Sequence, residues 1–293
     1  MLLDDLTQLC DQLLKESRST AAVAACDKAL AESLPELERC RVLQLKAEAL
    51  TAEDGKWGGP SILCLKEALI LAGADPLEQG RVHCALTAGY AAKGSVSLCR
   101  SHQQAFMALL KTTPALSRWH PAVQFNMALA LHEREMLGEA ERAYTAVREL
   151  CRRSEDPGIQ QRVAYIDHNI VDCLLELKRY DEAKYLMDLS NSKLPDEIFG
   201  AQTRNRRAIY ALEEEEDLDG AVLWVESGLG HPACDTKTRA ALTLTKAKIA
   251  LVQGREVAAN DLGLEAMRLA AIAWSSRLGG RASRFLNEMA KGV

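Results

Sequence analysis

FNMALALHEREMLGEAERAYTAV, residues 125–147, is the stretch that decides the fold. It reads as two helices joined by a short turn: Met127, Ala128 and Leu131 mark the first, Ala140 and Tyr144 the second. Small residues at Ala128 and Ala140 let the two helices approach, while leucine and tyrosine fill the space between them. KRYDEAKYL, residues 178–186, repeats the second helix with Ala183 in the small position. Asn169, Ile170 and Leu174 supply a first helix before it, and Pro195 follows.

The prolines turn this pair into a period. Proline inside a helix costs about 3 kcal/mol, so prolines gather at helix boundaries. Pro35, Pro76, Pro114, Pro157, Pro195 and Pro232 fall at steps of 41, 38, 43, 38 and 37 residues. Each is expected to open the first helix of a unit or to sit just before it. Asp75 with Glu78, Asp156, and Ser33 with Glu36 supply capping signals at those starts. Small residues on the second helices keep the same period: Ala22, Ser61, Cys99, Ala140, Ala183, Ala221 and Ala259. The first unit adds Leu6, Leu9, Cys10 and Leu13, the sixth Ile209 and Leu212, and the seventh Ala247, Ala250 and a turn at Gly254. WGGP, Trp57 to Pro60, reads as an enlarged turn, with Trp57 and Trp119 packing between repeats.

Composition agrees. The chain of 293 residues holds 44 alanines and 44 leucines but only 8 prolines and 5% aromatics, which argues for helix throughout. No apolar run is long enough for a transmembrane helix. MLLDDL at the start carries Asp4 and Asp5 where a signal peptide needs positive charge, which argues against secretion by that route. Nine scattered cysteines with no CxxC suit a reducing compartment, hence the cytoplasm. A pI near 5.8 argues against direct nucleic-acid binding.

These stretches resemble the tetratricopeptide repeat (TPR), with its alternating large and small residues on a first helix, its Ala-x3-aromatic on a second and its closing proline. The resemblance covers essentially the whole chain. It departs from the family in a period several residues longer than usual and in the loss of most signature aromatics. It implies an all-α, right-handed α-solenoid of about seven helix pairs in one domain. The units run 1–34, 35–75, 76–118, 119–156, 157–194, 195–232 and 233–293. From Glu265 to Met289 a last second helix and a C-terminal capping helix are expected, with Trp274, Leu278, Phe285 and Leu286 covering the open end.

Signals for catalysis are poor. HEREM, His132 to Met136, lacks the second histidine of a zinc-protease HExxH. There is no P-loop, GxGxxG or Gly-x-Ser-x-Gly, and no paired metal-ligand spacing, so the chain is read as a non-enzyme without cofactor or metal.

A binding surface is the better reading. In the family the first helices line a groove that takes peptides, and the same register here gives Phe125 and Asn126, then His168 and Asn169, then Arg206 and Arg207. One turn on come Leu129, Asp172 and Tyr210, with His132 beyond them. Asparagine can pair with a peptide backbone, and arginine with a carboxylate through its planar fork. The set resembles the asparagine-and-basic clamps of peptide-binding TPR proteins, without a complete clamp. The acidic run Glu213 to Asp217 and the stripe Arg277, Arg281 and Arg284 read as solvated faces.

The expected function is a cytoplasmic peptide- or protein-binding module, acting as a regulator or sensor. It also resembles the TPR sensor domains of bacterial peptide-sensing regulators, although repeats that begin by Leu6 leave no room in front for their DNA-binding module. The alternative is a scaffold or adaptor subunit of a larger complex. Pairing of terminal repeats would make a homodimer.

Overall fold

In the computed structural model, residues 3–54, 57–191, 195–273 and 275–291 are described. The chain forms two compact units, residues 1–131 and 132–293. The first unit holds α1 (Leu3–Lys15), α2 (Ser19–Leu30), α3 (Glu36–Asp54), α4 (Gly59–Leu71), α5 (Pro76–Ala92), α6 (Val96–Leu110) and a 3-10 turn (Pro114–Trp119). Helix α7 (His120–Glu133) begins in this unit and ends in the next. The second unit continues with α8 (Leu137–Arg152), a one-turn α9 (Pro157–Gln160), α10 (Arg162–Glu176), α11 (Tyr180–Asn191) and α12 (Asp196–Glu213). It closes with α13 (Leu218–Leu229), α14 (Thr236–Val252), α15 (Glu256–Ile272) and α16 (Ser276–Ala290). No strand occurs among the described residues.

The recurrent prolines stand where the period put them. Pro35 and Pro195 immediately precede α3 and α12, Pro76 and Pro157 open α5 and α9, and Pro114 opens the 3-10 turn before α7. Pro232 lies in the turn before Asp235, which caps α14 by accepting from Thr238 N–H at 2.7 Å. Asp75 caps α5 in the same way through Leu77 and Glu78 N–H. The reciprocal half of the expected capping box is not made. Asp75 N–H donates to the Ala72 carbonyl, and Glu78 turns inward to a different task.

The seven small residues of the second helices, from Ala22 to Ala259, are all at 0% exposure, so the inferred period marks true helix contacts. In the last of these pairs α14 and α15 share Ala247, Ala250, Ala259 and Ala266, with Phe285 of α16 covering the cluster. Leu278 and Phe285 are buried as the capping role requires, while Trp274 lies outside the described residues. Leu9, expected in the first core, is instead 38% exposed beside buried Leu6, Cys10 and Leu13. Trp57 packs on α5, where a Cβ at Gly89 would stand 3.4 Å from its ring.

The turns inside pairs share one device that sequence did not announce. Ser17, Gly94, Glu135, Lys178, Glu216 and Gly254 all have φ between 52 and 72°. This left-handed residue ends a helix by letting the next N–H reach back, as Arg18 does to Leu13 O, Ser95 to Tyr90 O and Arg179 to Leu174 O. Among the described residues only Gly94 and Gly254 use glycine for it, so four of these turns carry no glycine signal.

The packing predicts a clear mutational contrast. Ala221 is fully buried among Ala208, Val225, Leu242 and Ile249. Ala221→Leu inserts three carbons there and is expected to cost about 1–3 kcal/mol. Leu223, 72% exposed on the same helix, is the control, and Leu223→Ala stays within about 0.5 kcal/mol. Urea denaturation of the two variants reads both values.

Candidate ligand-binding face

Successive first helices touch through polar side chains one repeat apart. In the first unit Asn126 Nδ2 donates to Thr87 Oγ1 at 2.9 Å. Glu78, at 0% exposure, is held there by Arg41 Nε at 2.9 Å, Arg81 Nη1 at 3.2 Å and Gln44 Nε2 at 3.3 Å. A carboxylate this deep is tolerable only when its charge and lone pairs are met. In the second unit Thr245 Oγ1 donates to Asn205 Oδ1 at 2.9 Å, and Arg206 meets Asp172.

The second unit builds the richest face. On α10, Tyr165, Asn169, Asp172 and Glu176 follow steps of three and four, with His168 four before Asp172, and so share one broad side. Phe199, Gln202 and Arg206 do the same on α12. Arg206 grips Asp172 fork to fork, Nε to Oδ1 and Nη2 to Oδ2, both at 2.7 Å. Its Nη1 donates to His168 Nδ1 at 2.8 Å, and His168 Nε2 lies 2.6 Å from Gln202 Oε1. Arg206 Nη1 is close to His168 Nε2 as well, and because a guanidinium only donates, the imidazole beside it is neutral. Burial, then the Arg206 charge, pull the His168 pKa down to about 3. Burial works against ionisation of Asp172, but Arg206 outweighs it and holds the carboxyl far below its ordinary range.

Above this base lie the groups that a ligand would meet. Tyr165 and Phe199 tilt against each other with ring centroids 5.6 Å apart, and Tyr165 is 41% exposed. Asn169 Nδ2 donates to the Tyr165 carbonyl, which fixes its carboxamide beside the rings. Gln202 spends its oxygen on His168, and its two amide N–H groups are donors for a partner.

Next along α10, Glu176 is held by α16. Arg277 Nη1 and Arg281 Nη1 both donate to Glu176 Oε1, the latter at 3.0 Å, and Arg284 donates to Glu135 Oε1 at 2.7 Å. Lys237 of α14 donates to buried Glu133 at 2.8 Å. Arg277 and Arg281 of the stripe expected to face solvent are therefore turned inward, because Glu176, more than 100 residues earlier, stands opposite them, while Arg284 keeps 54% of its side chain exposed as expected. Burial pushes the Glu176 carboxyl up, but His132, Arg281 and Arg277 beside it outweigh that and hold it at about 2. His132 is 3% exposed and sits edge-on to Tyr144 at 6.0 Å, kept neutral chiefly by burial and then by the Arg277 charge. The acidic run is absorbed locally: Glu213 pairs with Lys248, and Asp217 caps α13 through Gly220 N–H.

The structure brings His168, Asn169, Asp172 and Arg206 together, with His132 beside Glu176. Arg207 and Tyr210 turn away from that face. Arg207 stacks over Trp224 at 5.5 Å and reaches Asp188 at 3.5 Å. Tyr210 is 8% exposed against Tyr180. Arg207 follows Arg206 by one position, and consecutive helix positions project about 100° apart, so that one step changes its neighbour. In the first unit, Asn126 is engaged with Thr87, and Phe125 and Leu129 are half-buried on α7. Tyr165, Phe199, Gln202, Glu176 and the α16 arginines were missed. The i, i+3, i+4 spacing from His168 and Arg206 was the available signal for the first four.

Together these features define an array of helix pairs whose first helices carry a polar and aromatic face. No family model and no curated protein matches the chain. Among solved structures it is similar to the apo form of the quorum sensor NprR from B. thuringiensis, with a TM-score of 0.63 at 12% identity over 97% of this chain and 86% of that one. It is also similar to the apo form of RapI, with a TM-score of 0.57 at 14% identity over 86% of this chain and 97% of that one. A Rap protein complexed with Competence and Sporulation Factor gives 0.53 at 14% identity, over 99% of this chain and 98% of that one. At such identities the likeness is one of fold. No helix among the described residues is long and apolar enough to cross a membrane.

Proposed function

We propose that this protein is a non-enzymatic, peptide-binding TPR regulator or sensor that holds an extended segment across α10 and α12. The observation that carries the reading is the shared face of Tyr165, Asn169, Phe199 and Gln202, braced from beneath by Arg206, Asp172 and His168. Carboxamides suit a peptide backbone and rings suit its side chains. The bracing lowers the ordering cost of binding. One similar fold is a quorum sensor and another is seen with a sporulation factor, which supports a peptide as the partner here. All nine cysteines are free thiols, which supports a cytoplasmic setting.

The test uses a synthetic pool of random heptapeptides passed over the immobilised protein. The double variant Asn169→Ala/Gln202→Ala is expected to retain at least tenfold less peptide while its helical circular dichroism shows it still folded. Arg207→Ala, on the other side of α12, retains as much as the unmodified chain. Equal retention by all three proteins would refute the proposed face.

A further inference from the structure

Two arginine sites in the second unit hold their carboxylates differently. Arg206 and Asp172 satisfy each other through a two-point fork. Arg277 and Arg281 crowd instead onto a single oxygen, Oε1 of Glu176, each through one Nη1. A guanidinium offers five N–H donors in a planar fork that matches a carboxylate at two points, so this pair is underfilled. Arg277 is 9% exposed, and its buried Nε has no hydrogen-bond partner among the described residues. His132 Nε2 is likewise buried without one, 3.9 Å from Glu176 Oε1.

The charges are unbalanced in the same direction. Arg206, Arg277 and Arg281 form ion pairs with two carboxylates, Asp172 and Glu176, so three guanidiniums share two partners where burial weakens solvation, and Arg277 also feels the charge of Glu133. Glu133, nearby, is matched by Lys237 and does not correct the excess. Arg281 keeps 20% of its side chain exposed, which gives a route in from solvent.

We infer that Arg277 and Arg281 form a receptor for one carboxylate, carried by the C-terminus or an acidic side chain of the bound peptide. The inference rests on the peptide-binding reading above and adds the chemistry of the ligand's anchor. The entering carboxylate takes the unused edges of the two forks, neutralises the excess charge and leaves Glu176 in place. Arg281 orients the group at the exposed side, and Arg277 receives it from beneath.

The test has two arms. In the first, the thermal midpoint is followed during titration with sodium acetate against sodium chloride at equal ionic strength. Acetate raises the midpoint of the unmodified protein more than chloride does. Arg281→Gln weakens the apparent acetate affinity at least tenfold. Glu176→Gln lowers the starting midpoint but strengthens acetate binding, because both guanidiniums lose their resident carboxylate. A merely structural cluster would leave only the non-saturating rise that a kosmotropic anion gives any protein, equal in all three proteins, and that result overturns the site. Arg281→Gln keeps the Arg277–Glu176 pair, so the test holds even where Glu176→Gln does not fold.

In the second arm, three synthetic heptapeptide pools are passed over the protein: free-acid peptides lacking Asp and Glu, amidated peptides containing them, and amidated peptides lacking them. Retention of the first pool identifies a C-terminal carboxylate, and of the second an acidic side chain. Equal retention of all three overturns the carboxylate receptor and leaves the peptide-binding reading standing. Retention of none, with acetate still bound, overturns the peptide as the source.

Discussion

Arg206→Leu is expected to destabilise the second unit by about 3 kcal/mol, the low end of the cost of breaking a buried ion pair. The pair sits at that end because Asp172 keeps 27% of its side chain exposed while Arg206 keeps 6%. The loss arises from what remains: an Asp172 carboxylate without its fork and a His168 Nδ1 without its donor. Removing both charges should therefore recover most of it. Arg206→Leu/Asp172→Leu is expected to return to within about 1 kcal/mol of the unmodified protein, as apolar replacements of whole buried pairs do. Urea unfolding monitored by circular dichroism gives the comparison, read as a shift of midpoint at constant slope. A double variant as unstable as the single one would contradict this role for the pair.

Acid is expected to unfold the protein through its histidines before its carboxylates. Burial, followed by Arg206, lowers the His168 pKa from an ordinary 6.5 to about 3 in the folded chain. Between those values the unfolded chain binds more protons, so stability rises with pH and is lost as pH falls below 6.5. Each unit of pH costs roughly 1.4 kcal/mol per such group, hence roughly 3 kcal/mol from His168 alone between pH 6.5 and 4.5. His132 is shifted in the same direction, chiefly by burial. In the first unit His83, 2.8 Å from His102 between their Nδ1 atoms, is pulled to about 4 by burial and by that neighbour. Glu176 acts later. Its folded pKa of about 2 lies below the ordinary 4.5, so its contribution is intact above pH 4.5 and fades from there towards pH 2. Urea midpoints at pH 7.5, 6.0, 5.0 and 4.5 should fall steadily below 6.5. A flat profile across that range would show that His168 and His132 are solvated.

What was legible in the sequence follows from the range of the forces involved. Close packing of two adjacent helices needs a small residue at each crossing, so Ala22, Ser61, Cys99 and their successors were readable as a period, and all prove fully buried. Prolines were readable because backbone geometry confines them to helix starts. The turn residues Ser17, Glu135, Lys178 and Glu216 were not, since each adopts a left-handed conformation that sequence usually flags only with glycine. The proposed face was half legible. His168, Asp172 and Arg206 share it, but Arg207, a single position on, faces Trp224 instead. Arg277 and Arg281 of α16 were misread as solvated because their partner, Glu176, lies 101–105 positions earlier in the chain. Charge pairing over that distance depends on the stacking of intervening helices and leaves no local pattern.

The most direct test of the peptide-binding account is a map of contacts made by a bound peptide. A random heptapeptide pool carrying one photoreactive benzoylphenylalanine is crosslinked to the full chain, and the attachment sites are read by peptide mass spectrometry. The account predicts crosslinks on α10 and α12, centred on Tyr165, Asn169, Phe199 and Gln202, with α16 reached only by the peptide's anchored end, and their loss in Asn169→Ala/Gln202→Ala. Crosslinks placed instead on the exposed apolar side chains of α15, Val257 and Leu264, and unaffected by that substitution, would contradict it.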